Sequence, residues 1–96
     1  NMEKYLRQFQ ELIPKRINEL KIYLDMGDRK KIRQTLHQMS PQLQFFGIPD
    51  VVQPIMRLEF EYESIPMKRL VMLVEGILEK LDGASKEVNF IIRNNF

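Results

Sequence analysis

The sequence predicts an all-α protein, an antiparallel up-down four-helix bundle with a short extra N-terminal helix, making one domain over residues 1–96. Three observations carry that prediction. Apolar residues recur at steps of three and four along nearly the whole chain, which is the period of one helix face. Short clusters of Gly, Pro and Asp at 26–28, 47–50 and 64–66 punctuate the pattern where helices should end. A chain of 96 residues can bury a single core.

Taken in order, Leu6, Phe9, Ile13, Ile17, Leu20 and Leu24 form the first apolar stripe. Pro14 interrupts it, lacking an N–H and clashing with the preceding turn, so a short helix and then a second one are expected on either side. Met26-Gly27-Asp28 ends the segment: Gly27 suits a left-handed C′ position and Asp28 can cap the next helix. That helix should run from about Arg29 to Phe46, with Ile32, Leu36, Met39, Leu43 and Phe46 facing inward. Gly47 stops it, and Ile48-Pro49-Asp50 turns into a third helix capped by Asp50. Pro54 then falls in the first turn, where amides have no intrahelical acceptor.

Val51, Ile55, Leu58 and Tyr62 give the third helix its inner stripe, and Ser64-Ile65-Pro66 is the next break. The alternation from Leu58 to Glu63 imitates a strand, but it is short and joins a helical pattern. From Met67 on, Leu70, Val74, Ile77, Leu81, Ala84, Val88 and Ile91 stay on one seam. One long helix accommodates them despite Gly76 and Gly83, each costing about 1 kcal/mol relative to alanine. A stop at Gly83 with a separate terminal helix is the alternative. The six methionines, with Phe9, Phe46, Phe60 and Phe90, read as core filler.

Composition excludes several kinds of function. With no cysteine there are no disulfides and no thiolate metal sites, which fits a reducing, cytoplasmic setting. No apolar run reaches membrane-spanning length and no signal-peptide pattern opens the chain. Asn1 ahead of Met2 reads as a residue left by cloning. The net charge is only +2, so Arg29-Lys30-Lys31 with Arg33 is a modest cluster and nucleic-acid binding is not expected.

His37 is the chain's one histidine, and so its one side chain able to offer a neutral imidazole nucleophile near neutral pH. A lone histidine is usually a solvated helix residue or a satisfied core group. Two local features tell against the bland reading. His37 lies opposite the apolar stripe in mid-helix, and Pro41, four residues on, cannot donate to its carbonyl. No glycine-rich phosphate loop and no metal-ligand constellation accompanies it.

The segment from Thr35 to Ile48 resembles the histidine-containing phosphotransfer (HPt) domain family. Those domains carry an apolar residue two positions after the histidine, then often lysine and glycine, and a further glycine ten positions after it. His37, Met39 and Gly47 match, as do the apolar positions Leu36, Leu43, Phe46 and Ile48. The likeness extends to the order of helices and covers nearly the whole chain. Two positions depart from it: the usual lysine is Ser40 and the usual glycine is Pro41. The first removes a charge-assisted contact to a phosphoryl group, which Lys30 or Arg33 would have to replace. The second is permissive, since proline is compact. Where some members place a glutamine against the imidazole, this chain has Glu59. Two readings stand for it: a carboxylate orienting the ring, or a solvated acid beside Glu61 and Glu63.

The resemblance implies a phosphorelay carrier, consumed and regenerated rather than an enzyme in its own right. A response-regulator receiver domain with a phosphoaspartate docks over the histidine helix. His37 accepts the phosphoryl group and passes it to another receiver, and a hybrid sensor histidine kinase is among the expected partners. The receiver brings Mg²⁺, and no cofactor is expected in this chain. Helical spacing puts Arg33, Gln34, Ser40, Pro41 and Gln44 around the ring on the docking face. A monomer without membrane insertion is expected. The alternative is a degenerate relay domain, a helical adaptor that binds a receiver or another protein without phosphotransfer.

Overall fold

The structure is a computed structural model that describes residues 1–45 and 49–96, without the side chains of Phe45, Pro49 and Asp50. The described residues form four helices: α1 Met2–Met26, α2 Arg29–Phe45, α3 Pro49–Glu61 and α4 Met67–Asn95. Each packs against two others: α1 against α2 and α4, and α3 against α2 and α4, with α3 and α4 making the least extensive of these seams. Among the described residues no helix is long and apolar enough to cross a membrane.

One core runs through all four helices. Leu6, Phe9, Ile13 and Leu20 enter it from α1, and Ile32, Leu36, Met39 and Leu43 from α2. Val51, Ile55 and Leu58 come from α3, and Leu70, Val74, Ile77, Leu81, Val88 and Ile92 from α4. Burying one such side chain stabilises the fold by about 1.5–3 kcal/mol. Ile17, Leu24, Tyr62, Ala84 and Ile91 pack against this core while remaining partly exposed. Thr35, the buried polar residue of α2, satisfies its hydroxyl by donating to the Lys31 carbonyl at 2.8 Å.

The prolines behave differently from expectation. No break divides residues 2–26, so the short extra N-terminal helix is absent and α1 is continuous with Pro14 inside it. Pro14 is exposed, and with no N–H it leaves the Gln10 carbonyl without its helical amide partner. The stripe residues on both sides of it sink into the same core, and their burial outweighs the roughly 3 kcal/mol cost of an interior proline. In α3 the helix starts at Pro49, one residue before the expected cap Asp50, which puts Pro54 in the second turn instead of the first. Pro49 fits a first helical position because its missing N–H is not needed there. The expected roles of Phe46, Gly47 and Ile48, and of the Asp50 side chain, lie outside the described residues.

The caps follow the sequence more closely. Asn1 Oδ1 accepts from the Lys4 amide at 3.2 Å to start α1. Gly27 ends it in the left-handed region (φ 65°, ψ 28°), its amide donating to the Leu24 carbonyl. Asp28 Oδ1 then accepts from the Lys31 amide at 3.0 Å and opens α2. Arg29 reaches across to the end of α3, where its guanidinium donates to the carbonyls of Tyr62 and Ile65. These acceptors have no helical amide of their own, so one cation ties the start of α2 to the exit of α3.

α4 runs unbroken for 29 residues through Gly76 and Gly83. A Cβ added at Gly83 would meet nothing within 4 Å. Gly83→Ala should therefore raise stability by about 0.5–1 kcal/mol, read as a higher denaturant midpoint with an unchanged slope.

The core-filler reading fails for most of the large flexible side chains. Phe9 is buried, but Phe60 is 87% exposed and Phe90 64% exposed. Met39 is in the core, whereas Met2, Met26, Met56, Met67 and Met72 are all exposed. Their positions on the helices put them off the inner stripe, which hydrophobicity alone does not reveal.

Candidate functional site

The central feature is an exposed imidazole braced by a neighbouring helix. His37 occupies the middle of α2, between Leu36 and Met39, which point into the core and fix the rotation of the helix. Its own side chain is 62% exposed. Glu59 projects from α3, next to the buried Leu58, and its Oε1 lies 2.5 Å from His37 Nδ1.

That contact has a chemical consequence. A carboxylate only accepts hydrogen bonds, so Nδ1 must carry the proton. In the neutral ring the lone pair is then on Nε2, the nitrogen that Glu59 does not occupy. Of the two readings of Glu59 in the sequence, the geometry is that of an orienting carboxylate. The ring is both reachable and held in one tautomer.

The surrounding residues divide into those that share this surface and those turned elsewhere. Gln34 and Gln44 are exposed one turn before and two turns after His37, and Pro41 is exposed one turn after it. Ser40 is half-buried. Arg33 leans toward α3, with its guanidinium over the Tyr62 ring at 5.5 Å from the centroid, and its Nε is buried without a hydrogen-bond partner. The Tyr62 phenol donates to Glu63 at 2.9 Å, an interaction with a carboxylate that raises its pKa above the usual tyrosine value and keeps the ring neutral. Lys30 is exposed, while Lys31 sits 5.9 Å from the centroid of the Tyr23 ring. Apart from Lys30, the basic run that opens α2 is thus engaged with carbonyls and aromatic faces of its own fold.

Sequence reasoning missed what α1 contributes. Beside Pro41 and Gln42, a groove of 710 Å³ opens between α2 and α1, walled by Tyr5, Phe9, Leu12 and Lys15. Tyr5 and Leu12 are apolar residues off the α1 stripe, and that displacement was the available signal. The groove adjoins the histidine face through Pro41, one turn from the ring.

No family model, curated protein or solved structure matches the chain.

What the site can do follows from its own residues. It offers one oriented nitrogen nucleophile, a flanking polar surface and an apolar groove. Among the described residues no cluster of His, Asp and Glu gathers that could hold a metal ion. Such a site can receive a group from a partner that brings the electrophile with it.

Proposed function

We propose that this chain is a histidine phosphotransfer module, with His37 as the phosphoryl acceptor. The observation that carries the reading is the His37–Glu59 contact, which leaves Nε2 exposed with its lone pair free. In the transfer, Nε2 attacks the phosphorus of a receiver's phosphoaspartate in line. The N–P bond forms as the aspartyl O–P bond breaks, and the receiver's carboxylate departs with that electron pair. The Nδ1 proton stays on its nitrogen, shared with Glu59, and offsets the positive charge growing on the ring. The reverse step hands the group to a second receiver. Such transfer depends chiefly on positioning and on electrostatics supplied jointly by both partners, and the receiver brings Mg²⁺.

Gln34, Pro41 and Gln44 form the contact surface around the ring, with Ser40 at its edge and the α1/α2 groove beside it as the apolar part. The helices are read as antiparallel in up-down order, the chain as a monomer, and the cytoplasm as the compartment in which it meets its receivers. Nucleic acid is not a partner in this reading, because Arg29, Lys31 and Arg33 are engaged within the fold. One observation favours a second reading, an adaptor that binds a receiver without accepting phosphate: Ser40 is uncharged and Arg33 is held at Tyr62, which leaves Lys30, two turns before the ring, to supply the missing cation.

Incubation with phosphorylated receiver domains separates the two readings. Acid-labile, base-stable label on this chain supports phosphotransfer. Binding without label supports the adaptor.

Glu59 is a positioning residue in this scheme. Glu59→Ala should slow transfer roughly 10-fold, the equivalent of about 1.4 kcal/mol, which lies near the lower end for a hydrogen bond to a charged group. Glu59→Gln keeps an acceptor and should lose less. Imidazole ¹⁵N shifts provide an independent readout: the alanine variant should show a mixture of tautomers where the parent shows Nδ1–H.

A further inference from the structure

A phosphoryl group on His37 creates a charge problem. It brings roughly two negative charges to Nε2. The Glu59 carboxylate already stands at the other ring nitrogen, so two anions come to share one imidazolium. From Gln38 to Phe45 the sequence holds no charged residue, so a cation from α2 must come from the turns before the ring. Lys30 lies about 10 Å from His37 along the helix axis and Arg33 about 6 Å.

Three observations single out Arg33. It shares with His37 the edge of α2 that faces α3. On successive turns of that edge Arg29 bonds the Tyr62 and Ile65 carbonyls, Arg33 covers the Tyr62 ring, and His37 meets Glu59. Helical side chains lean toward the N-terminus, so the His37 ring covers the turn that holds Arg33. Arg33 is also incompletely satisfied where it rests. Its guanidinium lies 5.5 Å from the Tyr62 centroid, and its buried Nε has no hydrogen-bond partner. Phosphoryl oxygens suit the planar guanidinium fork and bind it more strongly than an aromatic face at a partly exposed site. Finally, the Tyr62 phenol has its own bond to Glu63 at 2.9 Å, which persists when Arg33 leaves the ring.

We propose that Arg33 is the cation of the phosphorylated site, exchanging the Tyr62 ring for the phosphoryl oxygens on His37 Nε2. The exchange rests on His37 being the phosphoryl acceptor, and it supplies the charge that Ser40 lacks. Parked on Tyr62, the guanidinium leaves Nε2 uncovered for an incoming phosphorus. After transfer it pairs with the new group and offsets the repulsion from Glu59. When the group moves on, Arg33 returns to Tyr62.

The test phosphorylates the whole chain with phosphoramidate, which needs no receiver. His37 Nε2 attacks its phosphorus, the P–N bond breaks, and ammonia departs with the electron pair. NMR of the arginine side chains reads the exchange. In the unmodified chain the Arg33 Cδ protons should be shifted upfield by the Tyr62 ring. Phosphorylation should return them to ordinary arginine positions and move Nε–H downfield. Arg33→Gln should slow labelling roughly 10-fold, and Arg33→Lys should recover most of that loss. Both variants should keep the melting temperature and the Nδ1–H tautomer of the parent, which separates a missing charge from a disturbed fold or ring. Three results would overturn the proposal: Arg33 protons that stay upfield in the labelled chain, labelling of Arg33→Gln at the parent's rate, or an equal loss in Lys30→Gln. Release of Arg33 by phosphoramidate, without labelling by any receiver, would refute the relay function and support the Arg33 assignment. Transfer from a receiver with Arg33 unmoved would do the reverse.

Discussion

His37→Gln should abolish phosphoryl acceptance, lowering the label on this chain at least about 1,000-fold while leaving the helical fold in place. The expectation of complete loss rests on the sequence holding one imidazole, so nothing nearby can inherit the role. Retention of fold follows from the 62% exposure of the side chain and from the good helix propensity of glutamine. A glutamine amide can still donate to Glu59, so stability should change by less than about 1 kcal/mol. Label that persists in this variant would move the acceptor elsewhere and end the phosphotransfer reading.

The neighbouring position should give the opposite phenotype. Leu36 is 1% exposed and belongs to the common core. Leu36→Ala removes buried methyl groups and leaves a cavity, which costs about 2–5 kcal/mol. Against a typical total of about 5–15 kcal/mol, that is a large fraction of the stability. For a domain of this size the melting temperature should drop by on the order of 10–20 °C. At temperatures where the variant is folded, its rate of phosphoryl acceptance should stay close to the parent's. Two adjacent residues thus separate by helix geometry alone: one face of α2 holds the protein together and the other carries the proposed phosphoryl acceptor.

The stripes were readable because helical period and burial coincide. Leu6, Phe9, Ile13 and Leu20 in α1, and Ile32, Leu36, Met39 and Leu43 in α2, are where a 3.6-residue period puts them. The Gly27 and Asp28 caps were readable for a similar reason, since each residue type has a backbone role that few others fill. Pro14 was misleading because its local cost is real, and only the burial of both flanking segments in one core outweighs it. Phe60, Phe90 and five of the methionines were misread because apolar character says nothing about which way a residue points. Ile92 is buried while Ile91 is only partly so, a one-residue drift over a helix long enough for the period to slip. At the site, exposure of His37 was legible from its phase. The contact with Glu59 was expected only through the family resemblance, as one of two readings, because the register between α2 and α3 depends on packing across helices and leaves no mark in local spacing.

The unequal helix lengths carry a consequence for motion. At about 1.5 Å per residue, α1 and α4 run to roughly 37 and 43 Å, while α2 and α3 reach only about 25 and 20 Å. The longer pair must therefore outrun the shorter pair. Leu6, Val88 and Ile92 retain 6–7% exposure, where most of the core lies at 0–2%. Amide exchange should follow that gradient, with the outer turns of α1 and α4 opening at low free energy and the centre only on global unfolding. His37 stands at the middle of α2, between the buried Leu36 and Met39, and its partner Glu59 follows the buried Leu58. The imidazole is thus a surface group on the part of the protein expected to yield last, its position set by Glu59 and by the buried face of α2.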